Sequence, residues 1–246
     1  MLTEQDRERY RRQMMIPDFG EEAQYKLKES SVLVTRAGGL GGTVAFYLAA
    51  AGVGKLVVAH GGNLTRSNLN RQILMTHDWV GKPRAEKIRE TLLRFNGDLA
   101  LEVLAENATE GNAAHWVEGV DLVCDCPPTF EERYALNKAI VYARKPMVEA
   151  AMNSMECHLT VIVPGKTPCL SCLYPEPPSW WEPLGFPVLG AVSGAVACLA
   201  AIEAIKMLTG IGEPLAGKLL QMDTLAHEYR KFNIRRDPKC KVCGEL

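Results

Sequence analysis

The sequence predicts an α/β protein, a doubly wound and mostly parallel sheet with antiparallel additions near the C-terminal end. Three observations predict it. The apolar run Val32-Leu33-Val34 enters a glycine turn, Arg36-Ala37-Gly38-Gly39-Leu40-Gly41-Gly42, which a helical stretch and a second apolar run follow. Short β-rich runs then alternate with helix-periodic stretches to about Ala151. Beyond that point strand-like runs flank one long uncharged stretch. Strand, glycine turn, helix, strand is the opening of a nucleotide-binding sheet, in which N–H groups at the helix start hold phosphate.

The elements follow in order. Thr3-Glu4-Gln5-Asp6 reads as a capped helix start, with the helix running to about Met15. Strands are expected at Val32–Thr35, Leu56–Ala59, Ala100–Leu104, Leu122–Cys124 and Met147–Glu149, with helices over Thr43–Ala51, Arg84–Phe95 and Glu131–Ala143 between them. Residues 158–163, Lys218–Met222 and Glu228–Ile234 read as antiparallel strands. Pro175 to Pro183, rich in proline, reads as a loop crossing the surface. Pro183 to Ile202 carries no charge and is long enough to span a bilayer. Its Gly and Ala content, its two prolines and the Glu203 that follows favour instead a helix buried in a tight core or a dimer interface. The expectation is a single domain over 1–246, with a nucleotide-binding half (1–151) and an antiparallel, metal-bearing half (152–246).

Composition sets outer limits. With 246 residues, 47% hydrophobic and 23% charged, the chain has ample material for a core. A net charge of −1 gives no bulk electrostatic reason to expect nucleic-acid or membrane binding. The start, Met1-Leu2-Thr3-Glu4, lacks the basic-then-apolar pattern of a secretory signal, so a cytoplasmic location is expected.

Eight cysteines in such a chain do not read as a disulfide framework. Four fall into two Cys-x-x-Cys pairs, Cys169 with Cys172 and Cys240 with Cys243. Each pair lets two thiolates bind one Zn²⁺ around a tight turn, and two turns complete a closed tetrahedron. A closed shell leaves no position for water, so the expected zinc is structural. Cys124, Cys126, Cys157 and Cys198 lie in or beside apolar runs and read as core, with Cys126 the one worth testing for reactivity.

One polar cluster adds chemistry to the glycine turn. Ser67-Asn68-Leu69-Asn70-Arg71-Gln72 places a guanidinium just beyond the second strand, where phosphate would lie. Together with Arg9-Tyr10-Arg11-Arg12-Gln13, the run Glu203–Leu208 and the two cysteine pairs, these motifs resemble the ThiF/MoeB/HesA family, relatives of the ubiquitin-activating enzymes. The resemblance runs nearly end to end. It implies a Rossmann-like fold and a homodimer that uses Mg-ATP to adenylate the C-terminal glycine of a small ubiquitin-like sulfur carrier. It also implies residue roles: Gly38, Gly39 and Gly41 form the phosphate turn, Asn68, Arg71 and Gln72 the phosphate-side cluster, and Arg12 reaches across the dimer.

Several positions depart from the family pattern. Arg36 stands where the turn's first glycine is expected. His60 stands at the end of the second strand, where an acid holds ribose hydroxyls in such sheets, and Gly62 replaces a second acid. Arg84 replaces a lysine, and Pro128 the aspartate assigned to Mg²⁺ and catalysis. The transfer cysteine of some members falls near Pro183. Two accounts stay open. Either adenylation survives with Asp125 taking over metal binding, or a more basic pocket, with Arg36 and His60 added to Arg12, Arg66, Arg71 and Arg84, prefers a nucleotide phosphate or a small oxyanion. Asp125 reads equally as a turn cap, as does Asp78, and His60 equally as a satisfied buried histidine. The runs Thr35–Gly39, Ala59–Asn63 and Met75–Trp79 look most like the HesA branch, which is associated with nitrogen fixation. That branch implies a role beside a cofactor-assembly protein in building a metal–sulfur or molybdenum cofactor, with molybdate, sulfate or phosphate as the anion.

Overall fold

The computed structural model describes residues 1–179, 181–182 and 185–246. The expectations placed at Pro183 therefore lie outside the described residues. Helix α1 spans Glu4–Met14, and its start is a reciprocal cap in which the Thr3 hydroxyl accepts from the Asp6 N–H while Asp6 accepts from the Thr3 N–H. Helix α2, Gly20–Glu29, was not anticipated. It has no side-chain cap, and Glu21 and Glu22 in its first turn with Lys26 and Lys28 in its last suit the helix dipole instead.

The sheet is then laid down as expected. β1 (Ser31–Thr35) leads through the glycine turn into α3 (Gly39–Ala51) and out to β2 (Lys55–Ala59). α4 (Arg84–Phe95), β3 (Ala100–Leu104), the six-residue α5 (Ala113–Glu118), β4 (Leu122–Asp125), α6 (Phe130–Ala143) and β5 (Met147–Asn153) continue the alternation. β6 (Glu156–Ile162), the short α7 (Leu170–Leu173), α8 (Gly190–Thr209), β7 (Lys218–Asp223) and β8 (Glu228–Asn233) complete the chain. Among the described residues, eight strands join one sheet in the order β3-β2-β1-β4-β5-β6-β7-β8, parallel from β3 to β5 and antiparallel from β5 to β8.

Period-two alternation divides the core between the two faces. Val32, Val34, Leu56 and Val58 pack towards α3 and α8, whereas Leu33, Val57 and Val123 pack towards α5 and α6. α8 is the expected core helix. By length and apolar composition it could cross a bilayer, yet only one side of it is covered: Val192, Val196, Ala197, Ala200 and Ala204 are buried, while Ala191, Ala195 and Ile202 are exposed. It is a core helix with one open face, not a helix buried all round. Its first residue, Gly190, lies against the turn at Asn70, where a Cβ would come within 2.1 Å of the Asn70 carbonyl oxygen.

The strand order reverses between β1 and β4, so their carboxyl ends part and leave a crevice. Ligands of doubly wound sheets bind at such switch points.

Candidate functional site

A cavity of about 480 Å³ opens at that switch point. The ends of β1, β2 and β4 supply its floor, and the N-terminus of α3 points into it. Its described lining contains four arginines, Arg36, Arg71, Arg84 and Arg133, and no aspartate or glutamate. Gly38 precedes α3 and Gly39 opens it, so the first N–H groups of a 13-residue helix face the space. A Cβ on Gly41 would lie 2.7 Å from the Arg36 carbonyl and 3.0 Å from Cys126, so the turn closes only with glycine there.

Arg36 behaves differently from its sequence reading. Its φ of 57° is left-handed, a conformation that costs a non-glycine residue roughly 1–2 kcal/mol. Its guanidinium spans the cavity wall, donating from Nε to Glu132 at 3.2 Å and from Nη1 to Asn107 Oδ1 at 2.9 Å. Glu132 is buried and lies on α6, so Arg36 brings its own counter-charge. His60 also adds no positive charge. Burial, with Arg84 and Arg36 close by, pushes its imidazole down to about 3, so it is neutral near pH 7, and its Nδ1 is buried without a partner. The expectation that Arg36 and His60 together make the pocket more basic is corrected on both counts.

The residues of the polar cluster do converge. Thr65 and Asn68 bracket a single 3₁₀ turn, Arg66–Asn68, in which the Asn68 Oδ1 accepts from the Thr65 N–H at 3.0 Å. The same oxygen accepts from Arg84 Nη2 at 2.9 Å, and Arg84 Nη1 donates to the Gly61 carbonyl at 2.9 Å. Arg71 is held by Ser67 O at 3.1 Å and Asn70 Oδ1 at 2.8 Å, and its stem lies against Gly39. No carboxylate neutralises Arg71 or Arg84 among the described ion pairs, and burial holds both below the usual arginine range. Gln72 is buried in the same wall, with its Oε1 unpartnered.

Four residues singled out in the sequence are not brought in. Arg12 is exposed on α1, outside the pocket of its own chain, and Arg66 is exposed beside it. Asp125, expected to take over metal binding, is fully buried behind the wall, where its Oδ2 accepts from Arg133 Nη1 at 2.8 Å. Burial, with Glu149 competing for the same guanidinium, pushes Asp125 up to about 7. It is part of the fold's ionic core. Asp78 is exposed in the turn His77–Trp79.

A second cavity of about 320 Å³ adjoins the first and shares Pro127, Pro128, Arg133, Met152 and Phe186 with it. At its base Glu149 Oε1 accepts from Arg133 Nη1 at 2.9 Å and lies 3.1 Å from His158 Nε2. Burial opposes ionisation of Glu149, but His158 and Arg133 hold it below the usual carboxylate range. Sequence reading missed Glu132, Glu149, Arg133 and His158. The only signal available was charge inside otherwise apolar strand and helix runs.

The four cysteines converge from both ends of the C-terminal half. Sγ separations are 3.9 Å for Cys169–Cys172, 3.7 Å for Cys169–Cys240 and 3.4 Å for Cys172–Cys243, and all four sulfurs lie within 4.8 Å of one another. Tetrahedral ligands about 2.3 Å from one ion lie about 3.8 Å apart, so the donor set fits a bound metal. Asn137 supports the site, accepting from the Leu170 N–H at 2.9 Å and donating to Cys169 Sγ at 3.7 Å.

Comparisons with known proteins agree with this architecture. A family model described as the ThiF family matches residues 10–242. The protein HesA, heterocyst, of Trichormus variabilis is 54% identical over 99% of this chain and 91% of its own length. The sulfur carrier protein adenylyltransferase of Thermus thermophilus is 39% identical over 99% of this chain and 93% of its own length. Among solved structures, E. coli MccB with ATP superposes with a TM-score of 0.80 at 28% identity, covering 91% of this chain and 69% of that one.

Proposed function

This chain belongs to the ThiF family, and from that membership we propose that its glycine-turn pocket binds a nucleotide phosphate or a small oxyanion without a protein-held Mg²⁺. The observation that carries the reading is the described lining: four arginines and, among the described residues, no acid. Arg36 and Arg133 are compensated by Glu132, Asp125 and Glu149, so Arg71 and Arg84 supply the net attraction, with the N–H groups of α3 beside them. Mg²⁺ does not fit this wall, because Asp125 is turned into the core and the other acid positions hold His60, Gly62 and Pro128. The HesA relative supports placing the chain in that branch. An accessory role in assembling a metal–sulfur or molybdenum cofactor, beside an assembly protein and with molybdate as one candidate anion, follows as part of the proposal.

Calorimetry with phosphate, molybdate and ATP, each with and without Mg²⁺, tests it. Each well-formed charge-assisted hydrogen bond contributes on the order of 1.5–3 kcal/mol, so Arg71→Ala is expected to weaken anion binding about ten-fold or more. Strict dependence on Mg²⁺ with no oxyanion binding would overturn the reading.

A second reading is an ATP-dependent adenylyltransferase for the C-terminus of a small sulfur carrier. The retained Gly38, Gly39, Gly41, Asn68, Arg71 and Gln72 favour it, as does likeness to a relative named for that reaction. Pyrophosphate exchange into ATP, with candidate carriers present, separates the two. For the cysteine cluster we propose a structural Zn²⁺ on Cys169, Cys172, Cys240 and Cys243, because four thiolates suit zinc and leave no open position.

A further inference from the structure

We propose that the glycine-turn pocket takes a nucleotide whose ribose carries a second phosphate, on its 2′ or 3′ oxygen, with Arg84 and Arg36 as the ribose-phosphate site. The proposal rests on the reading of the pocket as an anion site, and it names the class of anion. Its own support lies at the end of β2, away from the start of α3.

In doubly wound sheets the phosphates sit at the helix start after the glycine turn, and the ribose hydroxyls reach the end of the second strand, where an acid accepts from them. An arginine near that place accommodates a phosphate on the ribose instead. Here β2 ends at Ala59, and His60, Gly61 and Gly62 follow. Two guanidiniums grip Gly61 from both sides. Arg84 Nη1 donates to its carbonyl at 2.9 Å. Arg36 Nη1 donates at 2.9 Å to the Asn107 Oδ1 that also accepts the Gly61 N–H at 3.0 Å. These bonds fix both forks beside the end of β2, and both arginines line the cavity. Both keep donors to spare. Each Nη of Arg84 makes one bond among the described residues, which leaves one N–H of each for a ligand. Arg36 Nη2 donates to no described residue, and the side chain is 15% exposed.

Charge favours the same ligand. Among the described residues Arg36 is paired with Glu132 and Arg84 with no carboxylate, so the two forks keep a surplus positive charge. A Cβ on Gly62 would lie 3.3 Å from Arg84 Nη1, so an acid there would cover this guanidinium, and glycine leaves it bare. Glu106, in the loop beside Gly61, is exposed and turned to Asn112 Nδ2 at 3.3 Å. His60 is neutral near pH 7, so it neither repels a phosphate nor answers a hydroxyl as a carboxylate would. Arg71 serves the other end, with its stem against Gly39 at the start of α3. The pocket thus has two anion centres, one at the helix start and one at the end of β2. A nucleotide with phosphate on both sides of its ribose satisfies both. A nucleoside monophosphate leaves the second centre empty, and a diphosphate crowds its charge into the first.

The test is calorimetry with AMP, ADP, adenosine 2′,5′-bisphosphate and adenosine 3′,5′-bisphosphate, each with and without Mg²⁺. ADP carries as many phosphates as the bisphosphates but on one side of the ribose, so it separates position from charge. One bisphosphate is expected to bind about ten-fold tighter than both AMP and ADP. That advantage should fall to about two-fold or less in Arg84→Gln and to about three-fold in Arg84→Lys, which keeps the charge and loses the fork. Arg84 is paired with no acid, so neither change strands a buried carboxylate. His60→Asp, which puts an acid at the end of β2, should abolish the preference. Equal binding of ADP and both bisphosphates without Mg²⁺ would overturn the proposal and leave the anion reading standing, whereas a preference unchanged in Arg84→Gln and His60→Asp would remove these residues from the site. Binding only with Mg²⁺, with the bisphosphate preference kept, would count against the Mg²⁺-free reading while supporting this site.

Discussion

At the scale of single residues, the site is governed by what lies behind each charge. Arg36 has an unfavourable backbone, and glycine would relieve it by roughly 1–2 kcal/mol. The same change would strand Glu132, buried and paired with Arg36 at 3.0 Å, and removing one partner of a buried pair costs about 3–5 kcal/mol. The larger effect wins, so Arg36→Gly is expected to lower stability by about 2 kcal/mol in urea melts, and Arg36→Gly with Glu132→Gln to recover most of it. His60 makes a pH prediction. Its value falls from 6.5 to about 3 on folding, so the unfolded chain binds more protons between those limits. That stability is fully present above 6.5 and is lost as pH falls towards 3. Asp125 has the opposite sign: raised from 3.8 to about 7, it contributes stability below 3.8 that is lost as pH rises through 7. The two offset each other in the wild type, so the difference profile is the informative one. His60→Asn should lose less stability than wild type between about pH 7 and pH 4, and parallel profiles would show that His60 does not titrate as described.

At the scale of elements, the two cysteine pairs decide how the last strands are held. β8 is exposed along its whole length and is the free edge of the sheet, so it offers little burial of its own. The chain beyond it is tied back where Cys240 and Cys243 meet Cys169 and Cys172 beside α7, and Gly244 closes the turn against the Cys240 carbonyl. About one Zn²⁺ per chain is expected by metal analysis, and Cys172→Ser should lower the melting temperature and expose the segment after β8 to protease. Finding no zinc in protein prepared without chelator would remove this staple. Legibility in the sequence follows the same logic of local against long-range signals. The α4 limits, the β1–α3–β2 unit and the four cysteines are written in periodicity, the glycine turn and spacing over a few residues. α2 was missed because it is mostly polar, with only Ala23, Gln24 and Leu27 buried, and α5 because six residues hold too little periodicity. Glu132, Glu149 and His158 were missed for another reason: their partners lie far along the chain, and no spacing rule joins β5 and β6 to α6.

At the scale of the whole molecule, α8 is a core helix with one face left open. Its inner residues pack on the sheet and α3, while Ala191, Ala195, Cys198 and Ile202 recur at helical spacing on a face that is exposed or half-exposed. Ile202 is 48% exposed and Leu189 at the helix start 50%, with Tyr47 on the neighbouring α3 at 49%. An apolar helix face of this kind, on a chain with ample polar surface elsewhere, fits a two-fold contact between copies, in which the same patch faces itself. A second copy would also explain Arg12, which is exposed on its own chain yet lies at a position expected to reach a partner's pocket. Light scattering at micromolar concentration is therefore expected to give the mass of a dimer. Ile202→Lys, placing two like charges across the axis and adding no clash within the chain, should give a folded monomer with unchanged helical circular dichroism. If Arg12 acts in trans, that monomer should also bind phosphate more weakly than the dimer, and Arg12→Ala in the dimer should match it. A wild-type monomer at these concentrations would leave α8's open face unexplained and would remove Arg12 from the site.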